Sequence, residues 1–316
     1  MTISWNYAIV IGGAGFIGTN IVKELLPRCN HIIIYDNLYT GTIKEFFSLY
    51  NSKITFIRGD ILDYSYLSHI MKDIEIVFHE AAIASVEESV RMPETVNRVN
   101  IDGTLNVLNA SLRSNSVERV IFASSAAVYG DLQQLPIKES DPLSPLSPYA
   151  VTKIAGEHYM NVYYKLYGLK TTNLRYFNVY GPHQEHSPYK GVIAAFIQNI
   201  VNGKDVTIYG DGTQTRDFIF VEDVVRANIL AATSNNAIGK TYNIASGKST
   251  SINDLIKIFS ELTNKEIEPR YESWRPGDIR HSLADVSLVE KDLGFKAQID
   301  LREGIRKTLS SVGYYS

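Results

Sequence analysis

The 316-residue chain has one cysteine, Cys29, so no disulfide can close within it and a thiolate metal site has nothing to build on. Near the end of the first helical pattern, Cys29 reads as a small buried hydrophobe. No apolar run approaches the roughly 20 residues a helical membrane span needs. The chain enters its first strand pattern at Tyr7 without a signal-peptide layout, so a cytoplasmic protein is expected. Net charge is only −3, with 31 Lys and Arg against 34 Asp and Glu, which gives neither nucleic acid nor an anionic membrane a reason to bind. The 20 tyrosines are scattered instead of alternating with a basic stripe, and read as core and pocket residues. His183, Glu185 and His186 crowd one loop, but they lie between prolines with no further strong ligand nearby, so no metal is expected.

Apolar content of 45% is ample for a full core at this length. In the first half, β-rich runs at 7–11, 31–35, 54–57, 74–78 and 120–123 alternate with helical patterns at 16–26, 43–49, 66–71 and 94–113. Repeated β-α-β units predict a parallel sheet covered on both faces, with ligands bound beyond the carboxyl ends of its strands. Prolines 136, 142, 145 and 148 make 131–148 an ordered loop, followed by a helix over 149–167 and a strand over 171–176. Shorter helices come after it at 192–202, 222–233, 252–262, 286–293 and 302–310. The expected fold class is α/β: a Rossmann-type doubly wound parallel sheet over 1–180, with a smaller α/β substrate-binding domain over 181–316 whose elements interleave with the first.

Val10-Ile11-Gly12-Gly13-Ala14-Gly15-Phe16-Ile17-Gly18 follows the first strand and opens the first helix. Glycines 13, 15 and 18 fit the dinucleotide fingerprint, and 12, 15 and 18 its shorter-turn variant. A pyrophosphate approaches backbone closely only where no Cβ intervenes, and the helix N-terminus offers it free N–H groups. Asp36, at the end of the second strand, suits ribose hydroxyls and repels a 2′-phosphate, and Asn37 brings no cation for one. NAD is therefore expected over NADP. Asp60, after the third strand, is within reach of the adenine.

Ser125 ends the fifth strand, and Tyr149 and Lys153, four apart, share a face of the next helix. A phenol with pKa near ~10 is a poor base, but a neighbouring ammonium favours the phenolate. Ser125 would hold a substrate hydroxyl for that proton transfer.

From Gly12–Gly18, Asp36-Asn37-Leu38, His79-Glu80-Ala81-Ala82, Asn100–Thr104, Ser124–Gly130, Tyr149–Lys153, Arg175–Asn178, Gln214–Phe218 and Arg275–Asp278, the chain resembles the extended short-chain dehydrogenase/reductase family. Within it, the chain is similar to the UDP-glucose 4-epimerase group. The resemblance implies Tyr149 as base, Lys153 as its activator and ribose ligand, and Ser125 as hydrogen-bond partner. It places Gly12, Gly15, Phe16, Ile17, Gly18, Asp36, Asn37, Asp60, Ile61, Ala81, Ala82, Asn100, Tyr149, Lys153 and Tyr176 around a retained NAD. Around the UDP-sugar it places Ser85, Ser125, Asn178, Val192, Thr207, Tyr209, Arg216, Arg275, Asp278 and Ser282. It also implies a homodimer formed through helices 94–113 and 149–167.

A 4,6-dehydratase would carry an acidic pair after its catalytic Ser or Thr; Ala126 and Ala127 stand there instead and cannot move a proton. Epimerases restricted to plain hexoses have a tyrosine where Ser282 stands, so UDP-GlcNAc/UDP-GalNAc interconversion is expected, with UDP-Glc/UDP-Gal as a possible second pair and UDP-glucuronate as the alternative. The pattern departs from the glucose/galactose epimerases at Glu80, where an aromatic is usual, at Ala84, where a lysine contacts the cofactor, and at Val179-Tyr180.

Overall fold

The computed structural model describes residues 5–43, 52–184, 191–274 and 279–315. The first six strands are β1 (Trp5–Ile11), β2 (Cys29–Asp36), β3 (Ile54–Arg58), β4 (Ile76–His79), β5 (Arg119–Ser125) and β6 (Thr171–Tyr176). They are followed by β7 (Asn178–Tyr180), β8 (Thr207–Tyr209), β9 (Thr215–Phe220), β10 (Lys240–Ile244), β11 (Ser249–Ser251) and β12 (Arg270–Glu272). The main sheet has seven strands in the order β10-β6-β5-β4-β1-β2-β3, every pair parallel. The direction of chain winding reverses between β1 and β4. A crevice opens at such a switch point, beyond the carboxyl ends of the strands.

Side chains alternate across the sheet with a period of two. Ala8 and Val10 of β1 join a core on one face with the helix Val221–Thr233, and Ile9 and Ile11 join a core on the other with the helices Gly103–Ser114 and Pro148–Tyr167. A third core, including Phe196, Phe220, Phe259 and Ile305, gathers the C-terminal helices over β9. None of the described helices is long and apolar enough to cross a membrane.

The helix Pro148–Tyr167 has the start and stop its sequence announces. Pro148 occupies the first turn, the Ser147 hydroxyl accepts from Ala150 N at 3.2 Å, and left-handed Gly168 ends it. The single helix expected over 94–113 is instead Pro93–Asn97, a π-helical turn Arg98–Asp102, and Gly103–Ser114. Within that wide turn the Asn100 amide donates to Ile83 O at 3.1 Å and Thr152 Oγ1 at 3.0 Å and accepts from Ile83 N at 2.9 Å. Such bulges are frequent at functional sites. The helix expected over 43–49 lies outside the described residues except for Ile43.

Strand β10 was not anticipated, because Lys240-Thr-Tyr-Asn-Ile reads as polar. Its buried polar groups are satisfied instead: Asn243 accepts from the Tyr129 hydroxyl at 2.6 Å and donates to Ile137 O at 2.9 Å.

Strand β6 is bolted to the helix Pro148–Tyr167 by a buried ion pair. Arg175 donates to both oxygens of Glu157, at 2.8 and 2.7 Å, and to the Tyr129 hydroxyl at 2.7 Å, while the Ser124 hydroxyl donates to Glu157. Arg175→Ala leaves the Glu157 carboxylate buried without its cation. We expect urea titration to show a loss of about 3–5 kcal/mol in unfolding free energy, the usual consequence of breaking one side of a buried pair.

Candidate active site

The turn after β1 is built so that backbone meets backbone. Gly12 has φ +80°, and a Cβ there would lie 2.5 Å from Ala81 N, at the end of β4. A Cβ on Gly18 would strike the Gly12 carbonyl oxygen, so the first helix packs directly onto the turn. Gly15 caps that helix, Phe16–Leu25, whose first amides remain available to an anion. Phe16 and Ile17 sit half-buried in its first turn.

Gly12, Gly15, Asp36, Asn37, Asp60, Ile61, Ala81 and Ala82 line one crevice, together with Tyr35, Tyr39, Thr40, Glu80 and Arg98. Asp36 accepts from Ala14 N at 3.0 Å and Leu38 N at 2.7 Å. A carboxylate has about four acceptor positions, so two remain for a ribose diol. Burial holds the Asp36 carboxyl above its usual range, and the two backbone donors work against that shift. Asn37 donates to the Asp60 carboxylate at 3.1 Å, and the Asp60 carbonyl accepts from the Tyr35 hydroxyl at 2.9 Å. The bare glycine turn and the part-open Asp36 carboxylate fit the diphosphate and ribose of NAD.

Ser125 finishes β5; its hydroxyl accepts from Ala127 N at 3.1 Å and is near enough to the Tyr149 phenol to favour its ionisation. Tyr149 lies in the first turn of its helix, and Lys153 one turn on. Lys153 Nζ donates to Ala123 O at 2.7 Å, and lies 4.9 Å from the Phe122 ring centroid and 5.8 Å from that of Tyr149. Two of the three ammonium protons remain for a ligand. Burial pushes the Tyr149 phenol up to about 12; the Ser125 bond lowers it and the Glu80 charge raises it further. Burial brings Lys153 down to about 8, with Glu80 and Glu157 opposing. At neutral pH, before any ligand enters, the pair is a phenol beside an ammonium.

Three expected ligand contacts have their polar atoms engaged within the protein. Asn100 clasps Ile83 and Thr152. The Ser85 hydroxyl caps the short helix Val86–Arg91, accepting from Glu88 N at 2.9 Å. The Tyr176 hydroxyl donates to Glu80 Oε1 at 3.0 Å and lies within hydrogen-bond distance of both Asn228 side-chain atoms. Asn100, through Ile83, and Tyr176, through Glu80, shape the crevice wall. His79, read from sequence as structural, is fully buried and bonds Thr104 Oγ1 at 2.9 Å. Neither Glu80 nor Asn228 was expected at the site, since nothing in the spacing of Asn228 marks it and Glu80 stood out only as a departure from a pattern.

A second cavity brings together Asn178, Val192, Thr207, Tyr209 and Arg216. It lies between β7, β8, β9 and the start of the helix Val192–Val201. Phe196, Ile208 and Ile252, which read as core from the sequence, complete its wall with Gln214, whose amide donates to Tyr209 O at 2.7 Å. Next to Arg216, the buried Asp217 carboxylate accepts from Ser246 N, Ser246 Oγ, Gly247 N and Ala284 N at 2.7–3.2 Å. These bonds anchor the segment carrying Ser282, itself buried, with its N–H donated to Thr215 O at 3.1 Å. Arg275 and Asp278 lie outside the described residues. On either side of them, the Arg280 guanidinium stacks 3.8 Å over the Trp274 ring.

The sequence profile of the NAD dependent epimerase/dehydratase family matches residues 8–245. A solved UDP-N-acetylglucosamine 4-epimerase from Methanobrevibacter ruminantium M1, in complex with UDP-N-acetylmuramic acid, is 41% identical with TM-score 0.94, covering 99% of this chain and 100% of that one. A UDP-glucose 4-epimerase from Mycolicibacterium smegmatis is 36% identical over 305 residues, 95% of this chain and 96% of its own. A solved UDP-glucuronic acid 4-epimerase from Bacillus cereus, with UDP-glucuronic acid and NAD, is 31% identical with TM-score 0.90, covering 98% of this chain and all (100%) of that one.

Asp36→Ala removes the acceptors offered to the ribose. We expect NAD affinity, read by calorimetry, to fall about tenfold or more, since hydrogen bonds to a charged group contribute roughly 1.5–3 kcal/mol. The preference for NAD over NADP should narrow in the same titrations.

Proposed function

The chain belongs to the NAD dependent epimerase/dehydratase family, and from that premise we propose that it interconverts UDP-GlcNAc and UDP-GalNAc, with UDP-Glc and UDP-Gal as a second pair. By reaction class it is an NAD-dependent UDP-sugar 4-epimerase, an isomerase. The observation that carries the reading is the Ser125–Tyr149–Lys153 cluster at the carboxyl end of β5, within the field of Glu80, a wall residue of the crevice that fits NAD.

NAD supplies reversible two-electron redox at C4 of the sugar. What the chain must add is orientation and one mobile proton. Ser125, fixed by Ala127 N, offers its hydroxyl to the C4 oxygen and to Tyr149. Tyr149 takes the C4 hydroxyl proton as the sugar becomes a 4-ketone, and returns it after the ketone has turned its other face. Lys153 stabilises the phenolate with its charge, and its two remaining protons suit ribose hydroxyls. Ala126 and Ala127, in the turn after Ser125, have no proton to give, which argues against elimination of water from the same ketone.

Arg216, and with it Arg275, would hold the diphosphate, because a guanidinium fork suits phosphate oxygens. Thr207 and Tyr209 would face the uracil, Asn178 and Val192 the neighbouring parts of the sugar nucleotide, and Asp278 the uridine ribose. Residues 181–316 thus supply most of the sugar-nucleotide part and 1–180 the cofactor part, with elements of the two interleaved, since β10 lies in the main sheet. A side chain as small as that of Ser282 would leave room for an acetamido group, and the likeness to a UDP-N-acetylglucosamine 4-epimerase supports that choice. Val151, Val162, Leu166 and Tyr167, exposed along the helix Pro148–Tyr167, support a homodimer through that helix. We place the reaction in the cytoplasm, with its NAD and UDP-sugar pools.

The reading is tested with UDP-GlcNAc, UDP-Glc and UDP-GlcA as separate substrates, followed by sugar analysis. The acetylated sugar should turn over fastest; preferred turnover of the uronate would overturn the choice of sugar. Ser282→Tyr should lose acetylated turnover far more than plain turnover, and equal loss of both would remove the gate. Tyr149→Phe should lower kcat by about 10²–10⁴, the usual contribution of a positioned acid-base group, with UDP-sugar affinity little changed.

A further inference from the structure

Glu80 puts a carboxylate where the cofactor crevice meets the proton-transfer pair. Its backbone N donates to Ile11 O at 2.9 Å, fixing the residue beside the glycine turn, and its side chain shares the crevice wall with Gly12 and Ala81. Oε1 accepts from the Tyr176 hydroxyl at 3.0 Å. That hydroxyl has one proton and two acceptors in reach, Glu80 Oε1 and Asn228 Oδ1 at 3.1 Å. The carboxylate is the stronger acceptor. Asn228 Nδ2, which donates to the Tyr176 oxygen at 2.8 Å and to Val224 O at 2.9 Å, supports the same orientation. A relay Asn228 to Tyr176 to Glu80 therefore ends on an anion, with Asn228 and Tyr176 both buried.

Strand β4 runs beside β5 with His79 opposite Phe122, so Glu80 comes alongside Ala123, whose carbonyl holds Lys153. Tyr176, bonded to Glu80, lies opposite Ser125. The Glu80 charge raises the proton affinities of Tyr149 and Lys153. Behind Lys153 lie Glu157, a second anion acting on it, and His79, which burial and Lys153 push down to about 3 and so leave neutral. Burial pushes Glu80 itself up to about 7, with the Tyr176 bond and Lys153 pulling the other way. Glu80 thus exchanges its proton within the working range of an enzyme.

We propose that Glu80 is a positioning residue that sets the pH window of the Tyr149–Lys153 pair. As an anion it is a counter-charge for the Lys153 ammonium and holds back ionisation of the Tyr149 phenol. Once protonated it does neither. Both members of the pair must then titrate at lower pH when the charge at position 80 is removed. A residue that merely supported the fold would change the height of the activity profile or the melting point and leave its limbs in place.

The catalytic part of the test rests on the proposed epimerisation; the spectroscopic part does not. The kcat/KM profile against pH is measured with UDP-GlcNAc for the NAD-loaded wild type, Glu80→Gln and Tyr176→Phe. In Glu80→Gln both limbs should move to lower pH, by about one unit, the low end of what a neighbouring charge produces. Limbs that superimpose on the wild type, or that move apart, overturn the proposal. In parallel, difference infrared spectroscopy follows the protonated-carboxyl band. Beside the band of Asp217, which burial raises to about 6, the wild type should show a second acid titrating near neutrality, the Glu80 band, that Glu80→Gln lacks. Tyr176→Phe, without its hydrogen bond to the anion, should shift that band to higher pH. Absence of this second band in wild type, or its survival in Glu80→Gln, also overturns the proposal. Should Glu80→Gln fail to fold, the Tyr176→Phe shift decides alone. Inactivity of the wild type towards every UDP-sugar would count against the epimerase reading, while the band would still report on Glu80.

Discussion

The ammonium of Lys153 is the point at which strand, helix and chemistry meet. Its bond to the Ala123 carbonyl ties the helix Pro148–Tyr167 to the end of β5, and so fixes where Tyr149 stands relative to Ser125. Few arrangements tolerate a cation this deeply buried: it has a backbone acceptor, two ring faces and the fields of Glu80 and Glu157. Burial weakens its hold on the proton, and the two carboxylates work against that loss. The position of the phenol and the charge that serves it are thus one constraint.

Elements governed by local rules were legible in the sequence. The proline, serine and glycine around Pro148–Tyr167 set that helix to within a residue, and glycine spacing set the turn after β1. Elements governed by distant contacts were not. Three side-chain bonds of Asn100 to Ile83 and Thr152 widen the helix after Asn97 into a π turn, and those partners lie far off in sequence. The polar strand β10 is buried only because Tyr129 and Ile137 answer Asn243.

The site divides in the same way. Ser125, Tyr149 and Lys153 could be named from helical spacing and strand position, and the structure brings them together. Asn178, Val192, Thr207, Tyr209 and Arg216 came from family resemblance, and all five line one cavity. The residues that sequence missed, Phe196, Gln214, Asn228 and the anionic role of Glu80, acquire meaning only from what the fold sets opposite them. Ser85 and Asn100, named for ligands, also cap a helix and clasp a loop. A polar residue beside a crevice is as readily used to build its wall.

Strand β10 carries one further consequence. It pairs along the whole of β6 from Lys240 to Ile244, although more than 60 residues of cavity-forming chain separate the two. Until residue 244 leaves the ribosome, β6 is an open edge with unpaired backbone groups, the kind of template that recruits stray strands. The cofactor half therefore cannot be finished, or grafted onto another protein by a cut near residue 180, without borrowing a strand from the C-terminal half. Two parts that differ in ligand are, as an object that must be synthesised and inherited, one piece.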